Sequence, residues 1–394
     1  MLGFIVNCGS SSIKTRLIDT DTKETLFEAR AGHLKTSSST VTTKVNGISY
    51  SLLDEDNTSL THEQALQLIL NDLSNRKVIK NLEDISFVGH RIVHGGTFFS
   101  KPTIITEEVL EKITTCNELA PLHNPVGISG IRCCENLLPS AIHVAVFDTA
   151  FHQTIPEINF RYAIPDSWYD SGIRKYGFHG TSYSYLTRVL GNKIGKQNIS
   201  AVMAHIGQGT SVCAVSEGKS VYTSMEFSPL SGCIMGTRSG NIDPAVIQHL
   251  HNKFGYDIND ILSTLNKESG LYAFTGQGNM LDILNGVERY NGDCIFALTA
   301  FCHSVAENMA KAIVSLGDKP KQIVFTGGIG ENSPVVRKEI IRMLSPVVNG
   351  ISLSDTANSE NCFEITHKCS PIPIYVINVN EELEIALEAA KLLS

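Results

Sequence analysis

The chain has 394 residues, 42% of them hydrophobic and 18% charged, with a mean hydropathy close to zero, so it can bury the cores of about two domains and is neither disordered nor fibrous. Its 32 Lys and Arg against 40 Asp and Glu leave a net charge of −8, which argues against broad attraction to nucleic acid or an anionic membrane. No apolar run approaches the roughly 18 residues of a membrane helix, and residues 1–7 lack the basic flank and apolar core of a secretory signal, so a soluble, cytoplasmic protein is expected.

Residues 4–6 and 13–18 read as a strand pair around the turn Gly9-Ser10-Ser11-Ser12. Leu66, Ile69, Leu70 and Leu73 recur at helical spacing and predict an amphipathic helix over 62–74. Residues 142–147 form a short buried strand that ends at Asp148. A second strand pair, 201–205 and 211–215, surrounds Gly207-Gln208-Gly209-Thr210. A long helix follows through Leu298, Phe301, Val305, Met309, Ile313 and Leu316, then a strand at 322–325, a glycine turn, and a helix over 334–344 capped by Ser333 with Pro334 in its first turn. The last helix begins near Asn380. The two hairpins echo each other, which suggests duplicated α/β domains facing one another across a cleft. The ten cysteines form no C-x-x-C pair and read as scattered small buried hydrophobes.

Several turns carry groups suited to phosphate chemistry. Thr326-Gly327-Gly328-Ile329-Gly330-Glu331-Asn332-Ser333 lies between a strand and a helix, where glycines admit a ligand to the backbone and a helix start offers N–H groups. It matches neither phosphate-loop fingerprint, and a purely structural turn stays open. Asn7-Cys8-Gly9-Ser10-Ser11-Ser12-Ile13-Lys14 supplies hydroxyls and an ammonium, either for phosphate oxygens or as a solvated hairpin. Arg91, in Gly89-His90-Arg91-Ile92-Val93-His94-Gly95-Gly96, and Arg238, in Met235-Gly236-Thr237-Arg238-Ser239-Gly240, give one arginine per half. Singly such residues are ordinarily solvated; paired, they can neutralise a transferring phosphoryl group. His123 and His179, each in an apolar or glycine-rich turn, are either structural or donors to a phosphoryl oxygen. Asp148 stands at a strand's carboxyl end, where parallel-sheet enzymes keep working carboxylates; the alternative is a turn cap through Thr149. Glu381 and Glu382, taken alone, read as partners of a helix dipole.

Together these ordered motifs, with His205–Ser211 and Asn380-Glu381-Glu382, resemble the acetate kinase family of the acetate and sugar kinase/heat-shock protein/actin superfamily, from end to end of the chain. The resemblance implies two duplicated actin-like, ribonuclease H-like domains, 1–150 plus 383–394 and 151–382, each a mixed five-stranded sheet flanked by helices, with an interdomain cleft. It implies Mg²⁺- or Mn²⁺-dependent, reversible, in-line transfer of the ATP γ-phosphoryl group to acetate, giving acetyl phosphate and ADP, in a homodimer. Arg91 and Arg238 would bind the phosphoryl group and the carboxylate, His179 would stabilise the phosphoryl in flight, and His123 and His205 would help to bind it. Asp148, Glu381 and Asn7 would serve the metal, which replaces the bland reading of Glu381. Ser10, Ser12, Lys14, Gly207, Gln208 and Gly209 would lie near the phosphates, and Asn279, Met280, Leu281, Gly328, Ile329, Gly330 and Asn332 along the nucleotide. Val93, Leu122, Phe178 and Pro229 would form an apolar acetate pocket. Val93 and Pro125 favour acetate over propionate, since propionate-preferring relatives are smaller at the first and aromatic at the second.

The chain departs from the family pattern at Gln208 (usually Asn), Asn279 (Asp), Leu281 (Arg), Tyr183 (His), Glu226 (Gly) and Ser231 (Glu). The transferring core is intact and the nucleotide rim is altered, so loose nucleotide preference is expected. Alternatives are a propionate or other short-chain carboxylate kinase, and a catalytically silent actin-like nucleotide sensor.

Overall fold

The computed structural model describes residues 1–53, 58–317 and 320–394. Chain contacts divide it into two compact units, Met1–Phe151 with Asn380–Ser394, and His152–Val379. The return to the first unit falls at Asn380, three residues earlier than the expected 383. Asn380 is the reason: its side chain accepts from the Leu383 N–H and starts the helix Glu381–Leu393, which packs Ile385, Ala386 and Ala389 against Ile5, Phe87 and Val144. Glu381 and Glu382 therefore belong with the first unit.

That unit is built on β1 (Leu2–Gly9), β2 (Ser12–Asp19), β3 (Glu24–Gly32), β4 (Thr40–Val45), β5 (Ile48–Ser51), β6 (Phe87–Ile92), β7 (Thr103–Ile104) and β8 (Ile142–Phe147), in the order β5-β4-β3-β2-β1-β6-β8-β7. β1 to β5 run as an antiparallel meander, β6 lies parallel to β1 and β8 parallel to β6, and β7 is antiparallel to β8. β1 is buried on both faces. Phe4 and Val6 join Leu66, Ile69, Leu70 and Leu73 of the helix His62–Asn75, while Ile5, one residue out of phase, joins the C-terminal helix.

The second unit carries β9 (Ala201–Ile206), β10 (Thr210–Ser216), β11 (Lys219–Thr223), β12 (Gln322–Thr326) and β13 (Ile374–Val376), in the order β11-β10-β9-β12-β13. β9 to β11 form an antiparallel meander, and β12 and β13 follow in parallel. This repeats the arrangement β3-β2-β1-β6-β8. Phe301, Cys302, Val305 and Met309 of the long helix Gly292–Leu316 fill its core.

Five strands per sheet thus holds for the second unit, whereas the first sheet has eight. The extra strands extend its two edges. β4 alternates exposed Thr40, Thr42 and Lys44 with buried Val41 and Thr43, and the Thr43 hydroxyl donates to Asp72 at 2.7 Å. A threonine-rich edge strand with so little apolar content gives a weak signal in sequence. The expected glycine turn after β12 is a short helix, Gly327–Asn332. The cysteines are all free thiols, and among the described residues no helix is long and apolar enough to cross a membrane.

Candidate active site

In the first unit, three neighbouring parallel strands bring functional groups to one carboxyl edge. Asn7 lies near the end of β1, Arg91 near the end of β6, and Asp148 directly after β8. Arg91 Nε donates to Asp148 Oδ1 at 3.1 Å, its Nη2 pairs with the other carboxylate oxygen, and its Nη1 donates to Asn7 Oδ1 at 3.3 Å. Glu381 lies 3.9 Å from Nε. Across the hairpin Asn7 pairs in register with Lys14, and Gly9 with Ser12, which leaves Ser10 and Ser11 as the turn. Ser10 and Lys14 are exposed and Ser12 is half-buried.

Charge in this cluster is tilted toward acid. Burial opposes the Arg91 charge, but Asp148, then Glu381 and Glu382, outweigh it and raise the guanidinium pKa. Burial also lifts the Glu381 carboxyl to about 7, against the pull of Arg91 and with a further push from Asp148 and Glu382. A carboxyl that keeps its proton near neutrality beside two other acids is a place where a divalent cation gains by displacing that proton. Among the described residues no three His, Cys, Asp or Glu converge as an all-protein cage. The donors present therefore fit Mg²⁺ held by one or two carboxylates, an amide oxygen, water and substrate phosphates. His123 precedes the helix Asn124–Leu137 of the same unit, and Asn124 ties both backbone groups of His94, at 3.1 and 2.8 Å, beside half-buried Val93. Leu122 is exposed.

The second unit presents a different set. His179 precedes the helix Gly180–Ile194 with a left-handed backbone, φ 58°, a conformation that a non-glycine residue holds only when its surroundings enforce it. Its Nδ1 lies 2.8 Å from Ser211 Oγ, and its ring stacks on His205 with centroids 4.2 Å apart. His205 is itself fixed by Ser182 Oγ at 2.9 Å. The Arg238 Nη1 donates to the Pro229 carbonyl at 3.2 Å, and no carboxylate pairs with this guanidinium among the described residues. Burial lowers its pKa, with nothing opposing. A methyl group on Gly209 would stand 3.3 Å from His179 Nε2 and 3.7 Å from Arg238 Nη1. The bare glycine thus leaves a gap that an imidazole nitrogen and an unneutralised guanidinium both border.

Close by, a side chain on Gly207 would approach His205 Nε2 at 3.6 Å and the Gly328 nitrogen at 4.0 Å, while Gly328 has open space where a Cβ would be. Gly327 has to be glycine, because its φ is +80° and a Cβ would meet the Ile206 carbonyl at 2.7 Å. Ile329 is half-buried, Gly330 is buried, and Asn332 is exposed with its amide donating to the Gly328 carbonyl at 2.9 Å. Gln208 is exposed, and its Oε1 packs beside Gly236. Asn279 caps the helix Met280–Glu288 by accepting from the Leu281 N–H at 3.1 Å; Met280 turns into the core and Leu281 is 65% exposed. Phe178 is buried and Pro229 half-buried. The departures at 226 and 231 explain each other in part: the Glu226 N–H donates to Ser231 Oγ at 2.8 Å, and its carboxylate pairs with Lys175 at 2.7 Å.

Sequence reading gave no supporting role to four residues. Ser211 and Tyr183 stand behind His179. Glu331 accepts from the Thr326 hydroxyl and from the Gly327 and Val379 N–H groups. Arg337, fully buried, donates to the Gly330 and Glu331 carbonyls and to Asn358 and Asn361. The signal for Arg337 was available, since it shares a helical face with Val336, Ile340 and Ile341, where a lone arginine needs a job.

The sequence model of the acetokinase family matches residues 2–387. The chain belongs to this family. It is 40% identical over 395 residues to an acetate kinase of Carboxydothermus hydrogenoformans, covering 98% of both chains, and 41% identical over 397 residues to one of Clostridium acetobutylicum, covering 98% of this chain and 97% of the relative. Among solved structures, a propionate kinase from Francisella tularensis superposes with a TM-score of 0.92 at 39% identity over 98% of each chain. An acetate kinase from Porphyromonas gingivalis superposes with 0.91 at 33% identity over the full length of both. The family assignment makes the chain a kinase of the two-domain, actin-like α/β class.

Proposed function

We propose that this acetokinase-family chain transfers the γ-phosphoryl group of ATP to acetate, reversibly and in line, giving acetyl phosphate and ADP. The observation that carries this reading is the gap at Gly209, bordered by His179 Nε2 and by an arginine that no carboxylate among the described residues pairs with. A cationic seat without an internal counter-ion is suited to a small anion whose negative charge has to be stabilised. Arg238 and His179 donate to the phosphoryl oxygens there, with His205 behind them and His123 as a further donor. Arg91 orients the acceptor carboxylate and the incoming phosphoryl group from the first unit. Acetate is already an anion, so the step needs no general base.

Asn7, Asp148 and Glu381 would hold Mg²⁺ or Mn²⁺, which supplies charge neutralisation for the donor phosphates when bound. Ser10, Ser12 and Lys14 donate to those phosphates, while Gly207, Gln208, Gly209, Gly328, Ile329, Gly330 and Asn332 border the nucleotide, with Asn279, Met280 and Leu281 forming its outer rim. Val93 and Leu122 in the first unit and Phe178 and Pro229 in the second are the apolar side chains assigned to the methyl group. One methylene is worth only about 1–3 kcal/mol in such a pocket, and the similarity to a propionate kinase keeps propionate as the second reading. A silent sensor is disfavoured because the transfer residues persist while the rim changes.

A cytoplasmic homodimer is part of the proposal. The helix Pro244–Phe254 buries none of its residues, and Val246, Phe254, Tyr256, Ile258 and Leu262 give it and the next segment an exposed apolar face suited to a second copy. Free thiols throughout suit a reducing compartment. Trapping the acyl phosphate with hydroxylamine, and comparing kcat/KM for acetate, propionate and butyrate with ATP, tests the reading. Hydroxamate with acetate preferred supports it. No hydroxamate from any acid overturns it, and a propionate preference moves it to the second reading.

A further inference from the structure

Behind His179 runs a buried chain of hydroxyl groups whose protons can be assigned by counting donors. Tyr183 Oη lies 2.6 Å from Ser211 Oγ, which lies 2.8 Å from His179 Nδ1. Tyr183 and Ser211 are both fully buried, so each hydroxyl proton needs an acceptor within the chain. Among the described residues Ser211 Oγ is the only hydrogen-bond partner of the phenol oxygen, so the phenol's proton has no other acceptor.

If Ser211 donated to Tyr183, the phenol proton would have no acceptor. If His179 Nδ1 carried a proton and donated to Ser211, the serine proton would have none once the phenol also donates. One assignment gives every buried O–H an acceptor: Tyr183 donates to Ser211, Ser211 donates to His179 Nδ1, and the imidazole proton sits on Nε2. That nitrogen is the one bordering Gly209.

We propose that Tyr183 is a positioning residue that, through Ser211, locks His179 as the neutral Nε2–H tautomer and so aims one hydrogen-bond donor at the transferring phosphoryl group. An imidazolium would place a second proton on Nδ1 and conflict with the serine donor, so the chain also keeps His179 uncharged and leaves charge neutralisation to the arginines. Burial holds the phenol well above its usual pKa, in its donor form. The family's usual residue at 183 is an imidazole, with two tautomers of its own; a phenol has one proton and fixes the direction of the chain.

The inference rests on the role proposed above for His179, and the test separates the two. Full-length protein with ¹⁵N-labelled histidine is examined by long-range ¹H–¹⁵N correlation at neutral pH, as wild type and as Tyr183→Phe, alongside kcat and the KM for acetate. Expected are an Nε2–H signal pattern for His179 in the wild type and a mixture with Nδ1–H in Tyr183→Phe. The substitution should lower kcat about tenfold and leave KM within about twofold, since Ser211 is then able to accept as well as donate. Ser211→Ala should move the tautomer the same way and serves if Tyr183→Phe does not fold. An Nδ1–H or doubly protonated His179 in the wild type overturns the inference, as does an unchanged tautomer in the variants. Full turnover in His179→Ala would instead refute the role of His179 itself, whatever the tautomer.

Discussion

Arg91 and Arg238 carry the same charge in opposite settings. Arg91 is held by Asp148, Asn7 and Glu381, in a cluster with more acid than base. Arg238 has a carbonyl and a sulfur for company and, among the described residues, no acid paired with it. The first arginine's charge is largely committed within the protein, where it also organises carboxylates that can hold a cation. The second is left uncompensated, at a cost in burial, which suits it to the anion that the proposed function would bring. On the function proposed above, a metal-bound nucleotide and a developing phosphoryl charge would call for both kinds of arginine.

The sharpest way to break that contrast is to truncate each arginine. Arg238→Ala and Arg91→Ala should each lower turnover by on the order of 10²–10³. Their stabilities should diverge. Removing Arg238 deletes a lone buried charge and should leave the thermal midpoint unchanged or raised, whereas removing Arg91 takes the guanidinium from both Asp148 oxygens and should cost about 1–3 kcal/mol. A larger destabilisation in Arg238→Ala, measured by thermal and denaturant unfolding, would break the comparison.

Next in size, Gly209→Ala places a methyl between His179 and Arg238. It should reduce kcat about 10–100-fold with normal unfolding behaviour, because the phosphoryl group loses its seat. On the acidic side, Glu381→Gln should raise the Mg²⁺ concentration for half-maximal activity about tenfold or more, read by titrating Mg²⁺ at saturating ATP, and chelation should abolish turnover of the parent protein.

A smaller effect follows from the raised Glu381 carboxyl. With a folded pKa of about 7 against an ordinary 4.5, the folded protein holds a proton that the unfolded chain has released. The resulting stability is fully present below about pH 4.5 and is lost as pH rises through about 7. Metal-free protein should therefore lose on the order of 1–2 kcal/mol between pH 5 and pH 8 through this group. Glu381→Gln should flatten that slope in denaturant melts. Among the described residues the second unit offers no comparable acid at Arg238, so Arg238→Ala should leave the slope as it is. Smallest of all, exposed Leu281 and the Asn279 cap predict shallow preferences across ATP, GTP and ITP, and a steep ATP preference in kcat/KM would contradict that expectation.

How much of this was legible in the sequence varies by kind of signal. Short apolar runs ended by Gly, Ser or Asp located β1, β8, β9 and β12, and the Ser333 cap and the apolar spacing after Asn380 located two helices, because these are local signals. The duplication was visible in two hairpins and is repeated in five strands of each sheet. The edge strands β4 and β5 were not, since their stability comes from pairing along a sheet rather than from their own apolar content. Arg91 and Arg238 were both found, yet their opposite surroundings were not, because Asp148 and Glu381 reach Arg91 from 57 and 290 residues away. Tyr183 was noticed only as an exception to a pattern. Its link to His179 depends on the register that sets Ser211 opposite His205, which no spacing along the chain encodes.

The most direct test of the account is a double-mutant cycle on turnover, with Arg91→Ala, Arg238→Ala and the double variant assayed by hydroxamate formation from acetate and ATP. If both arginines act on one transferring phosphoryl group, each single change lowers kcat/KM by about 10² or more, and the double falls well short of the product of the two losses. Near-normal turnover in either single variant, or losses that multiply fully, would contradict it.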